Sequence, residues 1–194
     1  MPYRRHALIC AAFPLLLTCA LAPLPAAAAD RDPFTVRTFD KEFVNWASTH
    51  EGVFAFPAPA LYEQVLLHVT IECPGPPGDC DPWDRFARLS LRRWLNETEF
   101  EDYEIHRFIT PYDITGSGGP GSCGWTSDLT DYQFLLHDDV TLLLYIDSWI
   151  GGDKGWLLTF DFEMTPGTPE REPFAIERLW HNGWVNYGDP DDPI

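Results

Sequence analysis

Four stretches of the chain alternate apolar and polar residues with a period of two. Val65, Leu67, Val69 and Ile71 interleave with His68, Thr70 and Glu72. Ala87, Leu89 and Leu91 interleave with Arg88, Ser90 and Arg92. Val140, Leu142, Leu144 and Ile146 form a third set, and Trp156, Leu158, Phe160, Phe162 and Met164 a fourth, with Thr159, Asp161 and Glu163 between them. A period of two is the signature of a strand with one face in the core. Shorter strands are expected at residues 35–39, 52–56, 103–109 and 175–180, and one short helix around 128–136. Turn residues separate them: Pro57-Ala58-Pro59, the Pro/Gly run 74–79, residues 116–124, Gly151-Gly152-Asp153 and Pro166-Gly167. Short strands punctuated by turns, with few helical patterns, predict an all-β antiparallel sandwich of two sheets.

The chain has 194 residues, enough for one domain, and 30 acids against 13 bases give a net charge of −17. That balance argues against nucleic acid, whose phosphates need a concentrated basic surface, and against docking on anionic membranes. Eight Trp, seven Tyr and thirteen Phe are a heavy aromatic load for a core or a binding face.

The first 29 residues read as a secretory signal peptide. Arg4 and Arg5 precede an apolar run broken by Pro14 and Pro23, and Ala26 to Ala29 offer small residues before Asp30. A membrane anchor would need a longer, unbroken run, and Leu17-Thr18 before Cys19 is a poor lipoprotein signal. A mature chain starting at Asp30 is expected to be secreted or periplasmic, with no membrane association after signal cleavage. Residues 168–194 read as a closing strand followed by an acidic, proline-rich tail or linker.

Export changes the meaning of the cysteines. Cys73 and Cys80 flank Pro74-Gly75-Pro76-Pro77-Gly78-Asp79, a short turn able to bring two sulfurs together, and an oxidising compartment favours a disulfide there. A metal site is the alternative, and three separated cysteines without a C-x-x-C pair suit zinc poorly. Cys123 falls in a Gly- and Ser-rich segment expected to be exposed, as a spare thiol or an intermolecular link. His50, His68, His106, His137 and His181 are scattered without ligand spacing, so neither a metal nor a cofactor is expected.

Two segments carry candidate chemistry. In Cys80-Asp81-Pro82-Trp83-Asp84-Arg85, Asp84 has the make-up of a general acid or base, with Trp83 excluding water and Arg85 holding a carbonyl or phosphate. The competing reading is an Asp/Arg pair closing a β-turn at a strand entrance. In Tyr145-Ile146-Asp147-Ser148-Trp149, the period of two puts Tyr145, Asp147 and Trp149 on one face. A carboxylate between aromatic rings suits sugar recognition; ordinary surface aromatics at a strand end fit equally.

These segments belong to an ordered set: Thr38-Phe39-Asp40-Lys41, Glu72-Cys73, Cys80 to Arg85, Arg107-Phe108-Ile109-Thr110-Pro111-Tyr112, Asp128-Leu129-Thr130-Asp131-Tyr132 and Trp149. The set resembles the N-terminal domain of the peptide-N-glycosidase F family, over residues 30–167. The resemblance implies an eight-stranded antiparallel jelly-roll sandwich, akin in fold to the peptidylglycine monooxygenases. It implies a metal-independent amidase cleaving the bond between asparagine and the first N-acetylglucosamine of N-glycosylated proteins or peptides. It places the family's principal catalytic carboxylate on Asp84, neighbouring cleft residues on Trp83 and Arg85, and a Tyr-x-Glu-x-Trp segment on Tyr145, Asp147 and Trp149. Asp147 stands where the family has Glu, which withdraws the carboxylate by one methylene. The family's cleft lies between two domains, and the chain ends at Ile194, about where the second would begin. Catalysis is therefore expected to need a second domain, supplied by a partner chain, an oligomer or a longer gene product. The alternative function is a non-catalytic jelly roll that binds glycan or protein through Trp83, Asp147 and Trp149; copper oxidation is a distant third.

Overall fold

The computed structural model describes residues 32–76, 78–112 and 122–177. The expected signal peptide, the acidic tail and part of the 116–124 segment lie outside the described residues. So does the end of the expected 175–180 strand, whose described part, 175–177, is not a strand.

Among the described residues, nine strands make two antiparallel sheets. In chain order they are β1 (Phe34–Arg37), β2 (Glu42–Val44), β3 (Thr49–Ala55), β4 (Tyr62–Glu72), β5 (Phe86–Trp94), β6 (Phe100–Ile109), β7 (Ser122–Asp128), β8 (Asp139–Ile146) and β9 (Trp156–Pro166). One sheet runs β1-β9-β4-β7, with β2 also on β9; the other runs β3-β8-β5-β6. The two sheets face each other as an all-β sandwich of the jelly-roll type. The expected eight strands become nine because the strand beside β9 is interrupted. β1 pairs with Asp161–Met164 and β2 with Trp156–Leu158. Between them, Thr38 N donates to Phe160 O and Phe160 N to Phe39 O, both at 3.0 Å. The break follows at Asp40-Lys41, where Lys41 turns to φ 55°.

The core is the set of alternating positions. Each of the sixteen inward residues named for the four main strands is at most 4% exposed. Fully burying a large apolar side chain contributes roughly 1.5–3 kcal/mol, so this inner layer is the main stabilising element of the sandwich. The expected helix is a single 3-10 segment, Thr130–Leu135. Among the described residues no helix is long and apolar enough to cross a membrane.

β7 corrects the reading of residues 116–124 as a turn. Residues from Ser122 onward pair along β4, with Cys123 opposite Ile71 and Gly124 opposite Thr70. Gly124 is there for close approach: a Cβ on it would stand 2.7 Å from the Val69 carbonyl oxygen. Cys123 is half-buried and packs against the core instead of being exposed. That burial raises its thiol pKa above the ordinary value.

Candidate active site

The two candidate segments meet at one end of the β3-β8-β5-β6 sheet. β5 and β8 are antiparallel neighbours with Ala87 opposite Ile146, and Asp147 N donates to Phe86 O at 2.9 Å. The residues entering β5 (Trp83, Asp84 and Arg85) therefore lie beside those leaving β8 (Tyr145, Asp147 and Trp149). Ala87 and Ile146 point into the core; Phe86 and Tyr145 lie on the other face, their ring centroids 6.4 Å apart.

The entry loop is tied down on three sides. Cys73 and Cys80 form a disulfide with Cα atoms 4.7 Å apart. Cys80 bridges in parallel to Gly155, whose N donates to Asp79 O at 3.2 Å and whose O accepts from Asp81 N at 3.3 Å. Lys154 Nζ adds a bond to Gly78 O at 2.9 Å. On the β6 side, Thr110 is a three-way clasp. Its N donates to Arg85 O at 2.8 Å. Its hydroxyl accepts from Arg85 N at 2.8 Å and donates to Trp83 O at 3.2 Å.

An Asp/Arg pair is present, but it uses Asp81 and leaves Asp84 out. The Asp81 carboxylate is fully buried. It accepts from Arg85 Nε at 2.8 Å, Arg85 Nη2 at 3.3 Å, Trp83 N at 3.1 Å and Ser148 Oγ at 2.7 Å. Ser148 comes from the β8 segment, so Asp81 joins the two halves of the site from beneath. Asp84 is exposed, and its carboxylate has no partner among the described residues. The Arg85 side chain keeps 22% of its surface open, so its outer edge reaches solvent.

Asp147 is half-buried and oriented by its neighbours. A single oxygen, Oδ1, accepts from Tyr145 OH at 3.1 Å and from Trp149 Nε1 at 2.9 Å. Oδ2 has no donor among the described residues. Burial, and then the hydrogen bond and charge of Asp147, push the Tyr145 phenol above its ordinary pKa; Arg88, stacked 5.1 Å over its ring, pulls the other way. Aromatic rings rim the two carboxylates. Trp83 is 53% and Trp149 55% exposed. Trp83 meets Tyr112 edge-on at 6.0 Å.

All six expected site residues thus share one sheet end. Four further participants carried no assigned role in the sequence: Asp81 as the clamp, Ser148, Thr110 and Tyr112. Thr110 and Tyr112 lie inside the Arg107–Tyr112 block, so that block was their signal. The four described histidines are each engaged separately: His50 with Glu42 at 2.7 Å, His68 with Thr126 and Glu163, His106 with Trp125 and His137 with Asp138. His181 lies outside the described residues. A cleft of about 670 Å³ opens at the other end of the sandwich, lined by Glu63, Asp128, Asp131, Thr165 and Arg171, and it holds none of the expected site residues.

The chain is similar to the peptide-N(4)-(N-acetyl-β-D-glucosaminyl)asparagine amidase F of Elizabethkingia miricola. They are 35% identical over 146 residues, 73% of this chain and 39% of that protein. A solved structure of recombinant peptide:N-glycanase F matches with TM-score 0.59 and 33% identity, over 72% of this chain and 44% of that one. The enzyme from Flavobacterium meningosepticum, described as a glycosylasparaginase, matches with TM-score 0.58 and 33% identity over the same shares. A structure of PNGF-II matches in fold alone, with TM-score 0.56 and 12% identity, over 69% of this chain and 34% of that one. No family model matches the chain. The chain thus spans less than half the length of the enzymes it matches. Over about 72% of its own length, it is a peptide-N-glycosidase F-like domain.

Proposed function

We propose that this domain forms one wall of an exported amidase site that releases glycans from asparagine, acting on N-glycosylated proteins or peptides. The observation that carries the reading is the contrast between its three aspartates. Asp81 absorbs the Arg85 charge from below, which leaves the Asp84 carboxylate open beside the oriented Asp147. A free carboxylate on a pinned loop is the form a general base needs.

In the proposed reaction water attacks the side-chain carbonyl carbon of the glycosylated asparagine. Asp84 takes a proton from that water. The outer edge of Arg85 donates to the carbonyl oxygen as negative charge develops there. The C–N bond breaks, the nitrogen takes up the proton that Asp84 received and leaves as the glycosylamine, and the asparagine becomes aspartate. Asp147 Oδ2 accepts from a sugar hydroxyl or acetamido N–H, while Trp83 and Trp149 cover the apolar faces of the substrate. The wall is open to water, which weakens each charge in it. A second domain or partner chain would close it and supply the remaining acid–base group.

The test is incubation of the protein with a defined N-glycopeptide, alone and with a candidate partner domain, followed by mass spectrometry. Loss of glycan with conversion of asparagine to aspartate supports the reading, and Asp84→Asn should lower that rate by ~10²–10⁴-fold. Full activity in Asp84→Asn would exclude Asp84 as the base.

A further inference from the structure

The far end of the β3-β8-β5-β6 sheet carries a second group of open aromatic rings. Ala87, Leu89 and Leu91 fill the inward positions of β5, so Phe86, Arg88, Arg92 and Trp94 share the outward ones. Phe86 stands beside the candidate site, and Trp94 closes the strand about 27 Å away. Trp94 is paired with Phe100 across the β5–β6 hairpin. Their rings meet edge-to-face, centroids 5.3 Å apart and planes at 69°. Neither goes into the core: Trp94 is 51% and Phe100 44% exposed.

The two rings are held from both sides. The Arg92 guanidinium carbon lies 3.8 Å from the Phe100 ring centre and 5.8 Å from that of Trp94. Asp102 accepts from Arg92 Nε at 2.7 Å and Nη2 at 2.9 Å, and Glu51 of β3 accepts from Nη1 at 3.3 Å. The hairpin tip is closed as well. Leu95 N donates to Glu99 O at 2.9 Å, and Asn96 Oδ1 accepts from Thr98 N at 2.9 Å and Glu99 N at 3.0 Å. Rings fixed in advance lose little freedom when a ligand arrives.

The charge around the rings selects the ligand. Arg92 is neutralised by two carboxylates, and residues 92–102 hold four acids against two arginines. That surplus repels phosphates and acidic sugars, and a second copy of the same tip would bring charge of the same sign. Uncharged pyranoses meet no such penalty. Their C–H faces stack on open indole and phenyl faces, and rim carboxylates accept their hydroxyl protons. Half-open tryptophan beside carboxylate is also the material of the candidate site, at the other end of the same strand.

We propose that Trp94 and Phe100 form a second carbohydrate-binding site, for a neutral hexose branch of the glycan remote from the asparagine, so that a large glycan touches the domain at both ends of β5. This inference rests on the glycan substrate proposed above and names a part of it that the cleft does not hold.

The test is calorimetric titration of the full chain with probes of two kinds. Mannopentaose and galactopentaose are neutral and lack the N-acetylglucosamine root; N,N′-diacetylchitobiose is the root alone. The proteins are the unaltered chain, Trp94→Ala and Trp94→Tyr, each with a thermal melt to show that it folds. At least one pentaose should bind the unaltered chain. Trp94→Ala should lower that affinity about tenfold, a change of about 1.4 kcal/mol, and leave chitobiose affinity in place. Trp94→Tyr should keep most of the affinity, since it retains an aromatic face. No binding of either pentaose, or equal affinity in Trp94→Ala, overturns the second site and leaves the cleft to be judged by chitobiose. Equal loss of pentaose and chitobiose in Trp94→Ala also overturns it, because Trp94 then acts through the fold as a whole. A dimer in sedimentation that Trp94→Ala dissolves gives the patch to a second copy and overturns it too. Pentaose binding that depends on Trp94, with no chitobiose binding, supports this site and counts against the cleft.

Discussion

Asp81, fully buried, holds Arg85 through Nε at 2.8 Å and Nη2 at 3.3 Å, while Ser148, 67 positions away and just past β8, donates to the same carboxylate. The charge that would otherwise pair with Asp84 is taken up inside the fold. The arrangement makes Asp81 a positioning residue: its carboxylate is fully buried and sets the direction of Arg85 and of the loop that carries Asp84.

Removing that charge should be felt in stability. Asp81→Asn leaves the Arg85 guanidinium largely buried without its counter-charge. Breaking a buried pair costs about 3–5 kcal/mol, and the partial exposure of Arg85 puts the loss near the lower end. Ser148→Ala removes one donor to a charged acceptor and should cost about 1.5–3 kcal/mol. Urea unfolding of both variants against the unaltered protein measures the order.

The disulfide should matter in the same place. Cys73 and Cys80 close a short loop, for which the chain-entropy estimate is about 2.5 kcal/mol. The double variant Cys73→Ala/Cys80→Ala should lose about that much in urea unfolding. Non-reducing peptide mapping of the unaltered protein should find Cys73 joined to Cys80, with Cys123 as a free thiol.

A pH effect should come from His106 at the open edge between the sheets. Its Nε2 accepts from Trp125 Nε1 at 2.8 Å, and its ring stacks on Phe108. Burial lowers its pKa in the folded protein, against an opposing pull from Glu104. The folded form therefore favours neutral imidazole more than the unfolded chain does. The stabilisation is complete above the unfolded value near 6.5 and is lost as pH falls from there through the lower folded value. Thermal unfolding at pH 8 and at pH 5 should show a lower midpoint at pH 5, and His106→Asn should flatten the difference.

Gly124→Ala should destabilise, although alanine is the smallest possible addition. The new methyl group would press on the Val69 carbonyl oxygen at the centre of a ladder. Overpacking of this kind costs roughly 1–3 kcal/mol. Gly152→Ala, with no neighbour near the added carbon, is a control in which only the left-handed backbone resists. Urea midpoints of the two variants separate the causes.

The residues that were legible in the sequence are those whose environment repeats. Val65 to Ile71 and Trp156 to Met164 each face the same core at every second position, so the pattern shows before any partner is known. β7 was hidden because Gly124 answers to a carbonyl on another strand, and a glycine in sequence looks the same whether it bends or flattens the chain. Asp84 was visible as a candidate, but that Arg85 pairs with Asp81 instead shows only once the fold brings Ser148, just past β8, onto the Asp81 carboxylate.

The pinning bonds also fix when this surface can first exist. Asn45 and Gly152 are 107 positions apart, and Cys80 needs Gly155 beside it. Sheets built from such distant pairings close slowly, over milliseconds to seconds in comparable β-sandwiches. A nascent chain emerging amino end first has the disulfide loop and Asp84 outside the ribosome long before their partners arrive. The candidate site is thus incomplete in every amino-terminal fragment that stops short of residue 155, however much of the sandwich that fragment contains.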